Sequence, residues 1–303
     1  MSDLDPERLG SFMGRFNEAT AGFFQKLMSL DFFWTVASAP SPGWANLVFP
    51  DLPADEAEER LWDAVLATCR VDEADPVAAW EDHLDHLDAR KKFLNAQTFT
   101  ALRYEGPGTD LIVGLPEAHY WNHTGEGHNG RRPVANMPTE EVSTSPHRLQ
   151  ADGVIRATKP LAHQGRVING FEFRLKDGAV VEAHAEQGQE DLNRILATDD
   201  GATHLGEVAL VPLSSLVAAQ KLTWYQTLFD ENDASHIALG NAYPRGIRGG
   251  MEMTPEQLNE VGNNASNVHV DFVVGSPELS IYGVSSDGAE SPLIAEGEWA
   301  FEV

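Results

Sequence analysis

The stretch TLFDENDASHIALGNAYP, residues 227–244, reads as a short helix carrying one histidine. Asp230, Asn232 and Asp233 crowd its front, as helix-starting residues do. Gly240 and Asn241 stop it, and Pro244 follows just past its end. His236 then stands as the one titratable group in the middle of the segment. A lone histidine in such a place is more often a hydrogen-bonded structural residue than a ligand. Its meaning therefore rests on what other polar groups the chain supplies.

Composition narrows the classes. The chain has 303 residues, 42% of them hydrophobic, enough for a real core in one large domain or two ordinary ones. Its formal net charge of −26 argues against nucleic acid or an anionic membrane surface as a partner. There are 47 acidic residues against 21 basic ones, and just 6 of the latter are lysine. Such an acid-rich, Lys-poor surface suits a high-salt cytoplasm, where screening relieves self-repulsion. The single cysteine, Cys69, excludes an internal disulfide. The acidic start MSDLDPERLG lacks the basic and apolar regions of a signal peptide, and no apolar run approaches the roughly 20 residues of a membrane span. A cytoplasmic location is the expectation.

The chain divides by texture into a helix-rich part, residues 1–98, and a mainly β part with a few helices, residues 99–303, an α/β (α+β) organisation. Residues 5–29 space Leu9, Phe12, Met13, Phe16, Phe23, Phe24 and Leu27 as one helical face that must dock somewhere. DFFWTVAS (31–38) reads as a buried strand ended by Pro40 and Pro42. Helices are expected over 54–70 and 76–95. The second repeats Trp80, Leu84, Leu87, Lys91 and Leu94 as an amphipathic stripe, with His83 and His86 beside it on the helix surface. From residue 98 onward, hairpins are expected about Gly106-Pro107-Gly108 and about the Lys-Asp-Gly turn of 170–186. Residues 190–200 read as a helix, 206–212 and 269–275 as strands, and IYGVSSDGAESPLIAEGEWAF as a closing hairpin. The polar, Gly-rich run 119–133 carries His119, His123 and His128. No carboxylate or Cys spacing supports ligation there, so it reads as a mobile loop near a site.

Two-metal hydrolytic centres need imidazoles and carboxylates, one of which bridges. In HVD (269–271), positions two apart on a strand face one side, so His269 and Asp271 point together while Val270 enters the core. Such pairs also arise by chance. Glu207 opens an apolar strand and reads equally as a solvent-facing strand end. Glu140 and Glu141 lie in NMPTEEVSTSP (136–146), where Thr139 and Glu140 could simply begin a helix. These groups are too far apart in sequence for spacing to join them.

A resemblance joins them. The blocks FFWTVASAPSPGWANLVFPDL, ARKKFLNAQTFTALRYEGPGTDLIVGLPEAHYW, VANMPTEEVSTSPHR, GVIRATKPL, GEVALVP, TLFDENDASHIALGNAYP and HVDFVVGSPEL resemble, in order, those of the thermophilic-type metallo-aminopeptidases (the aminopeptidase T, aminopeptidase S and PepS type). The resemblance implies metal ligands at Glu141, Glu207, His236, His269 and Asp271, and an active-site tyrosine at Tyr243. It also implies two divalent ions, zinc or cobalt with magnesium or manganese as alternatives. Peptides with a free N-terminus would be the substrate, and the chain would be a homodimer. Three carboxylates against two divalent ions leave a small positive excess, which favours a hydroxide nucleophile. One ion would polarise the scissile carbonyl and the other take the α-amine. Tyr243 would donate to the developing oxyanion, and Glu140 is the candidate general base.

Two departures stand out. Ser143 replaces a usual aromatic and Leu213 a common histidine, and both are expected near the pocket, where they would alter preference. Family members also carry roughly a hundred more residues ahead of the match, much of an α/β N-terminal domain. That leaves two rivals to a metallo-aminopeptidase. One is a truncated, non-catalytic remnant that still binds metal and dimerises; the other is a two-metal hydrolase of another class, such as a phosphoesterase. The expectation is a chain that binds both ions, hydrolyses peptides more weakly than longer relatives and associates through residues 5–38.

The charge balance gives a first test. If self-repulsion dominates the acidic surface, the melting temperature rises from dilute to molar salt, since about 1 M salt screens beyond roughly 3 Å. Equal melting temperatures at the two ends would leave no link to a saline habitat.

Overall fold

Helices begin where the local chemistry is strongest, at Ser41-Pro42, Pro53-Ala54 and Asp75-Pro76. The computed structural model describes residues 33–123 and 132–303, together with 12, 15–16, 19–20 and 22–23. After β1 (Val36–Ala37) come α1 (Pro42–Val48), α2 (Ala54–Thr68) and α3 (Pro76–Ala96). Ser41 accepts from the Trp44 amide and Asp75 from the Ala78 amide, with proline at the first helical position after each cap. The sequence reading took Pro42 as a strand terminator and so overlooked α1. In α2 the acidic Asp55 and Glu56 meet the positive end of the helix dipole, while Ala57, Leu61, Ala64, Val65 and Thr68 form its buried stripe. In α3 the expected stripe is buried at Leu84, Leu87, Lys91 and Leu94. The lysine is tolerated there because Asp88 lies 2.7 Å from its ammonium.

Two front expectations change. Residues 5–29 fall largely outside the described residues; those described are helical, with Phe12, Phe16 and Phe23 exposed. Of the strand expected over 31–38, residues 31–32 lie outside the described residues; among those described, β1 pairs parallel to β4 (Asn136–Met137), and both its residues are exposed rather than buried.

The β part holds β2 (Phe99–Gly106), β3 (Thr109–Gly114), β5 (Val142–Thr144), β6 (Ala151–Arg156), β7 (Leu161–His163), β8 (Arg166–Lys176) and β9 (Ala179–Gln187). The short helix α4 (Gln189–Leu196) leads to β10 (Leu205–Leu210), α5 (Leu216–Ala219), α6 (Thr227–Asp230) and β11 (His236–Gly240). Finally come α7 (Pro255–Glu260), β12 (His269–Val273), β13 (Ser280–Ser285), β14 (Glu290–Ala295) and β15 (Glu298–Trp299). The β2–β3 and β8–β9 hairpins form as expected; Asp177 and Gly178 both take positive φ, which the right-handed strand twist favours at a two-residue turn. A nine-stranded sheet runs β15-β14-β13-β2-β3-β6-β8-β7, with β9 added on β8. A separate four-stranded antiparallel sheet runs β12-β11-β10-β5.

Between the two sheets lies the larger core, where Phe171, Phe173 and Phe272 meet edge to face at 5.3–5.7 Å. A second core packs α1 and α2 on Val217, Trp224, Leu228 and Phe229, with Trp44 donating to the Trp224 carbonyl at 2.6 Å. Residues on both sides of position 98 contribute to each core.

The helix expected within 227–244 is a strand. α6 ends at Asp230, and β11 occupies the centre of the four-stranded sheet with all five residues buried. Hydrogen-bonded neighbours on both edges override a local helical preference. The polar residues that look like caps serve turns instead: Asp230 accepts from the Trp224 and Gln226 amides, Asn232 accepts from the Glu140 amide, and Asp233 pairs with Lys159. Gly240 ends a strand, not a helix, with φ +95°, and a Cβ there would run into the Val268 carbonyl oxygen.

That close approach gives the second prediction. Gly240→Ala meets both a left-handed φ and a backbone oxygen, so it lowers stability by more than about 1 kcal/mol. Urea denaturation checks it, and an unchanged midpoint would mean the strand end relaxes freely.

Candidate metal centre

Register within the four-stranded sheet places the polar groups. Glu207 pairs with Ala238, and Ala238 with Asp271; His236 pairs with Ala209 and, on its other edge, with Val273; His269 pairs with Gly240. Paired residues share a face, and residues two apart along a strand return to it. Glu207, His236, His269 and Asp271 therefore project to one side, and Ser143, opposite Ala209, joins them. The opposite side carries Val142, Val208, Leu210, Ile237, Leu239, Val270 and Phe272, all in the large core. Ala209 and Ala238 matter at the centre of the polar face, because methyl groups leave room for the longer side chains around them.

The groups meet in two clusters. Glu141, Glu207 and His236 offer ligand atoms within 4.8 Å of one another, as do Glu207, His269 and Asp271. Glu207 belongs to both. The His236 Nε2 lies 3.1 Å from a Glu141 oxygen, and the His269 Nε2 lies 3.2 Å from Asp271 and 3.4 Å from Glu207. The Asn241 carbonyl sits 2.7 Å from His269 Nδ1, which fixes the proton there and turns Nε2 toward the carboxylates. His236 Nδ1 is buried and has no hydrogen-bond partner among the described residues.

Burial and charge crowding shift Glu207, His236, His269 and Asp271. Burial, then the neighbouring Glu141, push Glu207 up to about 7. Burial opposes a charged His236, yet Glu141, Asp271 and Glu207 outweigh it and push the ring up to about 9. Asp271 and Glu207 likewise hold His269 up at about 10 against its own burial. Asp271 is burdened by burial too, but His269 brings it below the usual range. Without a cation, the cluster retains protons to limit like-charge repulsion. Oxygen and imidazole donors around a shared carboxylate are the donor set divalent ions replace such protons on.

The clusters floor a cavity of about 220 Å³. Tyr243 lines it with its ring 4.6 Å from that of His269, and desolvation, with Glu207 and Asp271 next, drives its phenol above the ordinary range. Trp34, Ser143, Arg245 and Met251 form other parts of the wall. Leu213, expected near the pocket, instead packs against the Gly297 turn, to whose carbonyl its amide donates.

Three further residues depart from the sequence reading. Glu140 is buried away from the clusters, gripped by Arg70 at 2.8 and 3.2 Å. His83, taken as a helix-surface residue, is half-buried against Arg70 and the Thr139 carbonyl, whereas His86 is exposed as expected. Glu231 was missed. It lines the cavity, and burial together with Asp271, Glu141 and Glu207 pushes it well above the usual carboxylate range. An acid five residues ahead of His236 was visible, but a helical reading of DENDASH gave it no partner. In the polar run after Pro116, His119 is fixed by the Pro116 carbonyl and His123 by Asp88, while His128 lies outside the described residues.

Fold and site together define a carboxylate–imidazole centre of the metallohydrolase kind, carried on one face of an antiparallel sheet. Known proteins agree. Residues 1–299 match the family described as thermophilic metalloprotease (M29). Aminopeptidase 2 of Geobacillus stearothermophilus is 45% identical over 305 residues, which cover 100% of this chain and 74% of that one. Aminopeptidase T of Thermus aquaticus is 44% identical, covering 99% and 73%. The solved structure of wild-type AmpT from Thermus thermophilus superposes with a TM-score of 0.89 at 42% identity, over 99% of this chain and 73% of that one. The chain belongs to the thermophilic metalloprotease family M29. Among the described residues, no helix is long and apolar enough to cross a membrane.

Binding should register as stability. At a free divalent-ion concentration about a hundred times its dissociation constant, the folded state gains about 2.7 kcal/mol per site. A thermal melt of chelated protein against zinc- or cobalt-loaded protein reads this, and coincident melts would exclude metal binding at the cluster.

Proposed function

We propose that this metallo-aminopeptidase releases N-terminal amino acids from peptides at a centre of two divalent ions, zinc or cobalt, held by Glu141, Glu207, His236, His269 and Asp271. The observation that carries the reading is the sharing of Glu207 between two three-residue clusters. A carboxylate with two oxygens between two donor sets is what a paired-ion site requires. Bound there, divalent ions would acidify water and polarise the scissile carbonyl.

The chain's own groups do the rest. With divalent ions held by Glu141, Glu207 and Asp271, the lone pair of an unblocked terminal amine could ligate one of them, whereas the amide nitrogen of an acylated terminus could not. Tyr243 keeps its proton at neutral pH, so it remains a hydrogen-bond donor for charge developing on the carbonyl oxygen. Glu231, inside the cavity, is the carboxylate placed to move a proton between water and the leaving amine. Glu140 is not, because Arg70 occupies both of its oxygens.

Assay of unblocked and N-acetylated peptides tests the reading. Free amino acids should appear from the former alone, cease with a chelator and return with zinc or cobalt. Hydrolysis of phosphate esters without peptide cleavage would move the chain to another hydrolase class. Tyr243→Phe should lower kcat by about 10²–10³ with both ions retained; loss of metal in that variant would make the tyrosine structural.

A further inference from the structure

Glu141 lies one residue before the ladder that would fix it. Pairing between β5 and β10 runs from Thr144 to Val142 and stops. The residues just ahead are instead gripped by side chains from three distant places. Asn232, in the turn after α6, accepts from the Glu140 amide at 2.6 Å. His83, on α3, contacts the Thr139 carbonyl at 2.7 Å. Arg70, in the turn after α2, closes a two-pronged grip on the Glu140 carboxylate.

Arg70 is itself held on every side. Its Nη2 donates to His83 Nδ1 at 2.9 Å, so the His83 proton sits on Nε2 and serves the Thr139 carbonyl. Its guanidinium lies 5.2 Å from the Trp80 ring centre, and the Trp80 Nε1 donates to the Cys69 carbonyl next to it. Its backbone takes φ +58°, the left-handed region that costs a side-chain-bearing residue about 1 kcal/mol or more. Both Arg70 and Glu140 are under a tenth exposed. A buried ion pair adds little stability compared with apolar residues of similar volume. What this one does add is direction, since a planar fork fixes the carboxylate and hence the chain beside it.

We infer that Arg70, acting with His83 through Glu140, is a positioning residue that sets the reach of Glu141 into the metal centre. It makes the helical N-terminal part a component of the site although none of its side chains belongs to the two clusters. The inference rests on the proposed ligand role of Glu141. It also accounts for adjacent glutamates of opposite fate, one neutralised by arginine and one facing the cavity.

The test is zinc titration by calorimetry into protein freed of metal by a chelator that is then removed, alongside circular dichroism and urea denaturation. The double variant Arg70→Met, Glu140→Leu replaces the pair by apolar groups and should keep the fold. It should nonetheless hold the ion that Glu141 serves about 10- to 100-fold more weakly, the loss usual when a ligand's supporting partner is removed. Arg70→Lys keeps the charge without the fork and should recover part of that loss. If the double variant fails to fold, Glu140→Gln, which keeps the shape and loses the charge, carries the same comparison. Metal affinity equal to the parent in a folded variant would overturn the inference. Glu141→Gln separates the two claims. Unchanged zinc binding there would sink the ligand reading itself, whereas weakened binding beside a parent-like double variant would sink the clamp alone.

Discussion

The structure depends on gathering like charges on one face of a sheet. Glu141, Glu207, Asp271 and Glu231 converge with two imidazoles around one largely buried cavity. Burial and the neighbouring carboxylates raise Glu207, and the carboxylates raise His236 and His269 against their burial. A chain that favoured stability alone would not assemble such a face. Divalent cations bound there, as the proposed function requires, would supply the missing positive charge and turn the crowding into binding energy.

Holding the charges together falls to apolar packing on the other side of the same strands. Core and site residues alternate along β12 and the start of β11, so Ile237, Val270 and Phe272 anchor the backbone that carries His236, His269 and Asp271. A slip of one residue would bury the polar groups and expose the core, which makes the register strongly specified. The aromatic cluster of Trp44, Trp224 and Phe229 then fixes the approach to β11, with Trp224 and Phe229 stacked at 4.6 Å. Through it the N-terminal helices reach the site's backbone without lining the metal clusters.

Neighbouring carboxylates in this protein differ by their partners rather than their type. Glu140 faces an arginine and is spent as an anchor; Glu141 faces a histidine and the cavity. Asp230 caps a turn, while Glu231 enters the cavity. One step along a backbone decides whether an acid is structure or chemistry, because adjacent side chains leave the chain in different directions and meet different partners.

The sequence by itself determined the elements with a strong period and the groups with a strong local pattern. The stripe of α3, the turn at Asp177-Gly178, the strands of β10 and β12, and the common side of His269 and Asp271 all follow from spacing, since a strand turns alternate residues to one face whatever its neighbours. The family resemblance pointed to the five residues that meet in the two clusters. Tertiary structure alone decided the rest. Residues 236–240 look helical in isolation and become the central strand because β10 and β12 supply hydrogen bonds on both edges. Glu140 looked free and Glu231 unremarkable because their partners, Arg70 for one and the cavity for the other, lie far off in the chain. Periodicity reports which way a side chain points relative to its own backbone; only packing reports what it points at.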